Sequence, residues 1–193
     1  MLIFINHFII FLINGQIHNM VKRTVKFDYE SFYSKGKMDE EFVMECTKNT
    51  FGGTCERATR DEDMFDHVDF WWDSPKKGRI GIDVKGIKKK KRSDKEGDDS
   101  INWIEIKNVN GNPGWIYGKA TYIAFRTNSG ILFVKNSKLI EYIEEKVDFK
   151  VLVYRNPKAF YIPYQRFGRK DVVVMIPTSD LAELADFSIE IEN

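Results

Sequence analysis

Residues 79–87 (RIGIDVKGI) alternate apolar Ile80, Ile82 and Val84 with Gly81, Asp83 and Lys85. A period of two predicts a β-strand with two chemically different faces. Asp83 and Lys85 are two positions apart, so both side chains leave the same face. Residues 67–72 (HVDFWW) predict a second strand, and the basic turn at 75–78 joins the two as a hairpin. That hairpin brings Asp69 alongside Asp83 and Lys85. Charged groups in the middle of apolar strands are expensive to desolvate unless partners or a metal compensate. Two carboxylates close together repel each other, and a divalent cation with a preference for hard oxygen ligands resolves the repulsion. Asp69, Asp83 and the backbone carbonyl of Val84 form a sufficient ligand set for Mg²⁺, with Lys85 beside them to activate water or stabilise charge on a phosphate.

The rest of the chain reads as an α+β (α/β) domain, a central mixed sheet flanked by helices. The spacing of Phe42, Val43, Cys46 and Phe51 predicts an amphipathic helix over 38–51, with Asp39, Glu40 and Glu41 in its first turn and Gly52-Gly53 as its stop. Short strands are expected at 55–59, 101–109, 122–125, 131–134, 151–154 and 172–176. A short helix is expected at 115–120, and a second helix at 137–146 with Ser137 as its cap. Gly111, Gly114 and Gly118 are explained by turn geometry. Trp71, Trp72, Trp103 and Trp115 are assigned to the core rather than to stacking platforms. The 193 residues suit one domain. Residues 1–19 carry an apolar run, 2–13, that is too short to span a bilayer as a helix and lacks the flanks of a secretory signal. They are expected to lie outside a working domain of 20–193, whose core is 38–147 and whose C-terminal extension is 148–193. An uncleaved membrane anchor is the lesser alternative.

The formal net charge of +1 excludes a generic polycation. Its distribution is uneven, however: an acidic knot at 60–73 adjoins a basic run at 76–92, as suits a metal site facing a polyanion, although a solvated charged hairpin would look the same. Cys46 and Cys55 form neither a C-x-x-C pair nor a zinc pattern, so a reduced cytoplasmic protein is expected, whether in its own cell or in a viral host cell.

Asp69, a turn, and then Asp83-Val84-Lys85-Gly86 resemble the PD-(D/E)xK nuclease superfamily, with its restriction-endonuclease-like fold. The runs DHVDFWW, GIDVKG and WIEIKNVNGNPGWIYGKATYIAF are similar to those of uncharacterised phage and viral members. The likeness spans about residues 40–147. It implies a Mg²⁺-dependent DNA endonuclease, with Mn²⁺ as a substitute and no small-molecule cofactor, that leaves 5′-phosphate ends during viral or phage DNA processing, recombination or repair. Asp69 and Asp83 would bind the metal, Lys85 would be the motif lysine, and Glu105 a further acid aimed at the metal or its water. Glu41 and Glu45 are the candidates for an acid on the leading helix. Such nucleases often pair as homodimers to cut two strands.

Val68 stands where the motif has proline, and the Gln-x-x-x-Tyr element of the exonuclease branch is missing. A rival frame uses Asp83 as the first acid and Glu105-Ile106-Lys107 as the second motif. Lys88, Lys89, Lys90, Lys91, Arg92, Arg166 and Arg169 are candidate phosphate contacts. His67 is read as a strand-edge residue without a role. A different class of reading is a catalytically inactive nuclease-fold module that only binds nucleic acid, and a buried ion-pair network is the purely structural alternative.

Overall fold

The computed structural model describes residues 38–89, 95–154 and 160–191 with their side chains, and residues 4–5, 8–13, 16–26 and 192 as backbone. In chain order the strands are β1 (Phe4–Ile5), β2 (Phe8–Ile13), β3 (Gln16–Lys26), β4 (Thr54–Arg57), β5 (Phe70–Ser74), β6 (Gly78–Lys85), β7 (Ile101–Lys107), β8 (Tyr122–Thr127), β9 (Gly130–Lys135), β10 (Tyr164–Gln165), β11 (Val172–Pro177) and β12 (Phe187–Glu192). The helices are α1 (Met38–Phe51), α2 (Asn136–Lys146) and α3 (Thr178–Leu184).

Helix α1 buries Phe42, Val43, Cys46, Thr47 and Thr50, a stripe at the i, i+4 spacing of one helix face. Its acidic first turn complements the helix dipole. Gly52 and Gly53, at φ +74° and +85°, turn the chain out of the helix. The chain then enters a mixed sheet of order β1-β2-β3-β12-β9-β8-β6-β5-β4. The pairs β6–β8 and β3–β12 are parallel, and the remaining pairs are antiparallel. Pairing of β3 with β12 begins at Val21, and residues 16–20 pair with β2. A second sheet, β10-β11-β7, is separate.

The central sheet is buried on both faces. On one face, Phe42, Val43 and Cys46 of α1 pack on Phe70, Trp72, Ile80, Ile82, Val84, Phe133 and Phe187. On the other, Ile123, Phe125 and Val134 meet Ile104 and Ile106 of β7, Val174 and Ile176 of β11, Leu139 and Ile143 of α2 and Leu181 of α3. Because Ile80, Ile82 and Val84 face α1, alternation directs Asp83 and Lys85 to the side covered by β7. Burial of strands on both faces accounts for the long apolar runs of β8 and β9.

Several expectations are revised. Residues 67–69 are not strand. Residues Glu62–Asp66 form a π-helical turn ending at His67, which has a left-handed φ of 53°. Glu62 Oε2 accepts hydrogen bonds from both the Thr59 backbone N–H (2.7 Å) and its hydroxyl (2.8 Å), the Thr-x-x-Glu arrangement that starts a helical turn. Ser137 does not cap α2: the cap position is Lys135, without a side-chain hydrogen bond, and the Asn136 N–H is taken by the Thr121 carbonyl. The segment at 115–120 is a single 3₁₀ turn, Trp115–Tyr117. At 151–154 only an isolated bridge forms, between Val153 and Tyr164. The apolar segments at 38–51, 122–125, 131–134 and 172–176 fold as expected. Both cysteines are free thiols. Among the described residues, no helix is long and apolar enough to cross a membrane.

Gly53 joins α1 to β4 at a point where a Cβ would lie 2.2 Å from the Asp73 carbonyl oxygen. Together with its positive φ, this predicts that Gly53→Ala costs about 2 kcal/mol or more in chemical denaturation. An unchanged midpoint would contradict the close approach.

Candidate active site

Asp69 immediately precedes β5. The β5–β6 register ends with Phe70 opposite Ile82. The Asp69 N–H donates to the Ile82 carbonyl (2.9 Å), and its own carbonyl accepts the Ala58 N–H (3.0 Å), so Asp69 is held between β4 and β6 at the end of the regular ladder. Asp69 Oδ2 accepts the Val84 N–H at 2.6 Å, which aims the carboxylate across the strands. The recorded link of Val84 to the site is therefore this N–H, while its side chain belongs to the α1 core.

Asp83 is 3% exposed. One oxygen, Oδ1, accepts a hydrogen bond from Lys85 Nζ at 2.7 Å. The other, Oδ2, is buried without a partner among the described residues. Burial pushes the Asp83 carboxyl up to about 7; the neighbouring Asp69 carboxylate adds to the rise, and Lys85 opposes it. The Lys85 ammonium also lies 4.6 Å from the centroid of the Trp115 ring, within cation–π range. Trp115 thus combines a core position with direct contact to the candidate lysine.

Glu105 comes from β7, on the layer that covers this face. Burial raises its carboxyl, while the charge of Lys85 and a hydrogen bond from the Trp115 backbone N–H lower it. The turn before Trp115 approaches Glu105 so closely that a Cβ at Gly114 would sit 2.1 Å from the Glu105 carbonyl oxygen. Only glycine fits there, so packing as well as turn geometry explains Gly114. Asp171, itself buried, and Arg166 lie on the far side of Glu105; Arg166 Nε donates to Asp171 Oδ2 at 2.7 Å.

Asp69, Asp83 and Lys85 therefore form one neighbourhood, and Glu105 senses it through the charge of Lys85. Lys107 is exposed and lies on β7, which pairs with β11 rather than with β6. The register neighbour of Asp83 is Ile123 of β8, and β7 does not pair with β6, so the Asp83/Glu105/Lys107 frame has no strand pairing beneath it. On α1, Arg57 takes Glu41 (2.8 Å), and Glu45 is engaged by Asn49 (2.9 Å) and Lys48 (3.9 Å). Glu40 is the helix acid that senses the site: burial, and then the charge of Asp69, raise its carboxyl, although Arg57 also holds it at 2.9 Å. Sequence periodicity did not single out Glu40. His67 is another neighbour, its imidazole pushed below its ordinary range by burial and by Lys85. Lys88, Lys89, Arg166 and Arg169 are exposed, whereas Lys90, Lys91 and Arg92 lie outside the described residues.

Among the described residues, no three His, Cys, Asp or Glu side chains are grouped closely enough to form a ready-made metal cage. The neighbouring pair Asp69 and Asp83, with an orphaned buried oxygen, still suits Mg²⁺, which binds through one or two carboxylates and keeps its remaining positions for water and phosphate. Compared with protein families, with curated proteins and with solved structures, the chain matches none.

The raised Asp83 carboxyl has a thermodynamic consequence. In metal-free folded protein it keeps its proton to about pH 7, whereas in the unfolded chain it loses it near pH ~4. The folded state then binds more protons in this window, so the contribution of Asp83 to stability is full below pH ~4 and is lost as the pH rises towards 7. Asp83→Asn cannot ionise. Its stability relative to wild type, measured by urea denaturation in EDTA, should climb between these limits and level off above them. A difference that stays flat across the window would rule out a buried carboxyl of this kind.

Proposed function

We propose that this chain is a metal-dependent deoxyribonuclease with a restriction-endonuclease-like core, cleaving phosphodiester bonds to leave 5′-phosphate ends. The observation that carries the proposal is the approach of the Asp69 carboxylate, held by the Val84 N–H, to Asp83, which is buried with one oxygen orphaned and the other on Lys85. The order of elements supports the same reading: helix α1, the antiparallel run β4-β5-β6, then β8 parallel to β6.

Asp69 and Asp83 would hold Mg²⁺, with Glu105 as a further acid within reach of the Lys85 charge. When bound, the ion supplies Lewis-acid stabilisation of the phosphate and lowers the pKa of water. The remaining roles fall to the chain itself. The Val84 N–H fixes the direction of Asp69. Asp83 holds the Lys85 ammonium, and Trp115 flanks it, so the cation is presented in a site screened from bulk water, where it stabilises charge on phosphate oxygens more strongly than it would at the surface. The lowered imidazole of His67 is neutral near pH 7 and can accept a proton beside Lys85.

A second reading, a nucleic-acid-binding module without turnover, is favoured by one observation: Lys85 already occupies an Asp83 oxygen. The two readings separate in an assay of supercoiled and forked DNA with Mg²⁺, with Mn²⁺ and with EDTA. Wild type should nick or cut only with metal. Lys85→Ala should lose roughly 10²–10³-fold in rate and Asp83→Ala at least as much, with Lys107→Ala near wild type. Metal-independent binding without cleavage would support the second reading, and cleavage undiminished in Asp83→Ala would refute the first.

A further inference from the structure

The turn between β10 and β11 carries Arg166, Phe167, Gly168, Arg169 and Lys170, all exposed. Phe167 is 91% exposed, and Gly168, at φ +73°, has open space around it. Core packing does not explain a phenylalanine at this tip. Its surroundings are cationic: among the described residues neither Arg169 nor Lys170 forms an ion pair, and Arg166 is tied to Asp171 while remaining half exposed. Phe65, the other strongly exposed phenylalanine, is 71% exposed but sits among Asp61, Glu62, Asp63 and Asp66, which would repel a phosphate backbone. Charge complementarity therefore selects the Phe167 tip.

The tip also borders the candidate site. The Arg166–Asp171 pair acts on Glu105, which in turn senses Lys85. The Lys170 stem packs against Gly111, where a Cβ would meet its Cδ at 3.3 Å, on the turn that leads to Trp115. An exposed aromatic ring flanked by free cations is the arrangement that stacks on a nucleobase while holding the neighbouring phosphates. A ring at a loop tip reaches the face of a base most cheaply where that base has already left the duplex stack, because in intact duplex a step must first be unstacked.

We propose that the Phe167 tip binds an unpaired base next to the cleavage point, so that the substrate is DNA with a fork, flap or single-stranded segment rather than intact duplex. This rests on the nuclease reading and adds the substrate class. Arg169 and Lys170 neutralise the phosphates on either side of the stacked base.

The test uses the full chain in EDTA, with a forked duplex that has thymine at its first unpaired position and a fully paired duplex of the same sequence. Wild type should bind the fork about tenfold or more tighter and protect that thymine from permanganate oxidation. Phe167→Ala should lose both the preference and the protection, and Phe167→Trp should keep them. Equal behaviour of Phe167→Ala and wild type on the fork overturns the proposal and leaves metal-dependent cleavage standing. A wild type that binds neither DNA in EDTA, even at low salt, overturns this proposal, and if it also fails to cut either DNA with Mg²⁺ or Mn²⁺ it overturns the nuclease reading as well. Because Phe167 is almost wholly exposed, its replacement leaves the fold intact.

Discussion

Asp83 is a carboxylate placed in the middle of a buried strand, with a single ion-pair partner and one oxygen left over. Such a group is costly to desolvate, and the nearby Asp69 carboxylate adds repulsion rather than relief. Nothing in the packing of the sheet requires it, since an apolar residue at position 83 would fill the same interface at lower cost. The rest of the architecture is arranged around this position. The β5–β6 hairpin brings the segment carrying Asp69 alongside Asp83. The Val84 N–H turns Asp69 inward, and Lys85, two residues along, provides the one compensating charge.

The layer above the acids follows from the same constraint. If the face bearing Asp83 and Lys85 opened to water, Lys85 would be an ordinary surface cation. Instead β7 and the turn at Trp115 close over it, with Gly114 admitting the Glu105 backbone at a distance no other residue allows. Trp115, in that turn, thereby meets Lys85, and Glu105 of β7 feels its charge, while the opposite face of β6 is anchored to α1 through Ile80, Ile82 and Val84. The separation into an apolar α1 side and a charged β7 side is a direct result of period-two alternation in one eight-residue strand.

Much of this was legible from the residues. Alternation at 79–87, with a basic turn before it, is enough to specify the hairpin and the shared face of Asp83 and Lys85, because strand geometry leaves no other choice. Helix α1 was equally readable from its apolar spacing and its glycine stop. What alternation cannot supply is the identity of a strand's neighbour. Strand β7 has the same period as β6, yet it pairs with β11, 65 residues and more further along the chain, and that placement separates Lys85 from Lys107. The helix acid facing the site was also hidden. Glu40, Glu41 and Glu45 are all polar positions of an amphipathic helix, Arg57 holds both Glu40 and Glu41, and only the charge of Asp69 distinguishes Glu40. The π-helical turn at 62–66 has a local cue in Thr59-x-x-Glu62, whereas period-two alternation speaks only for residues 67–72.

The most direct measurement is a crystal structure of the protein soaked in Mn²⁺, with the ion located by anomalous scattering. The expected result is a peak within coordinating distance of carboxylate oxygens of both Asp69 and Asp83, including the Asp83 oxygen that has no partner in the metal-free chain. A fully soaked crystal with no peak there, and with Asp83 still bound only to Lys85, would show that the buried carboxylates form a structural ion-pair network rather than a metal centre.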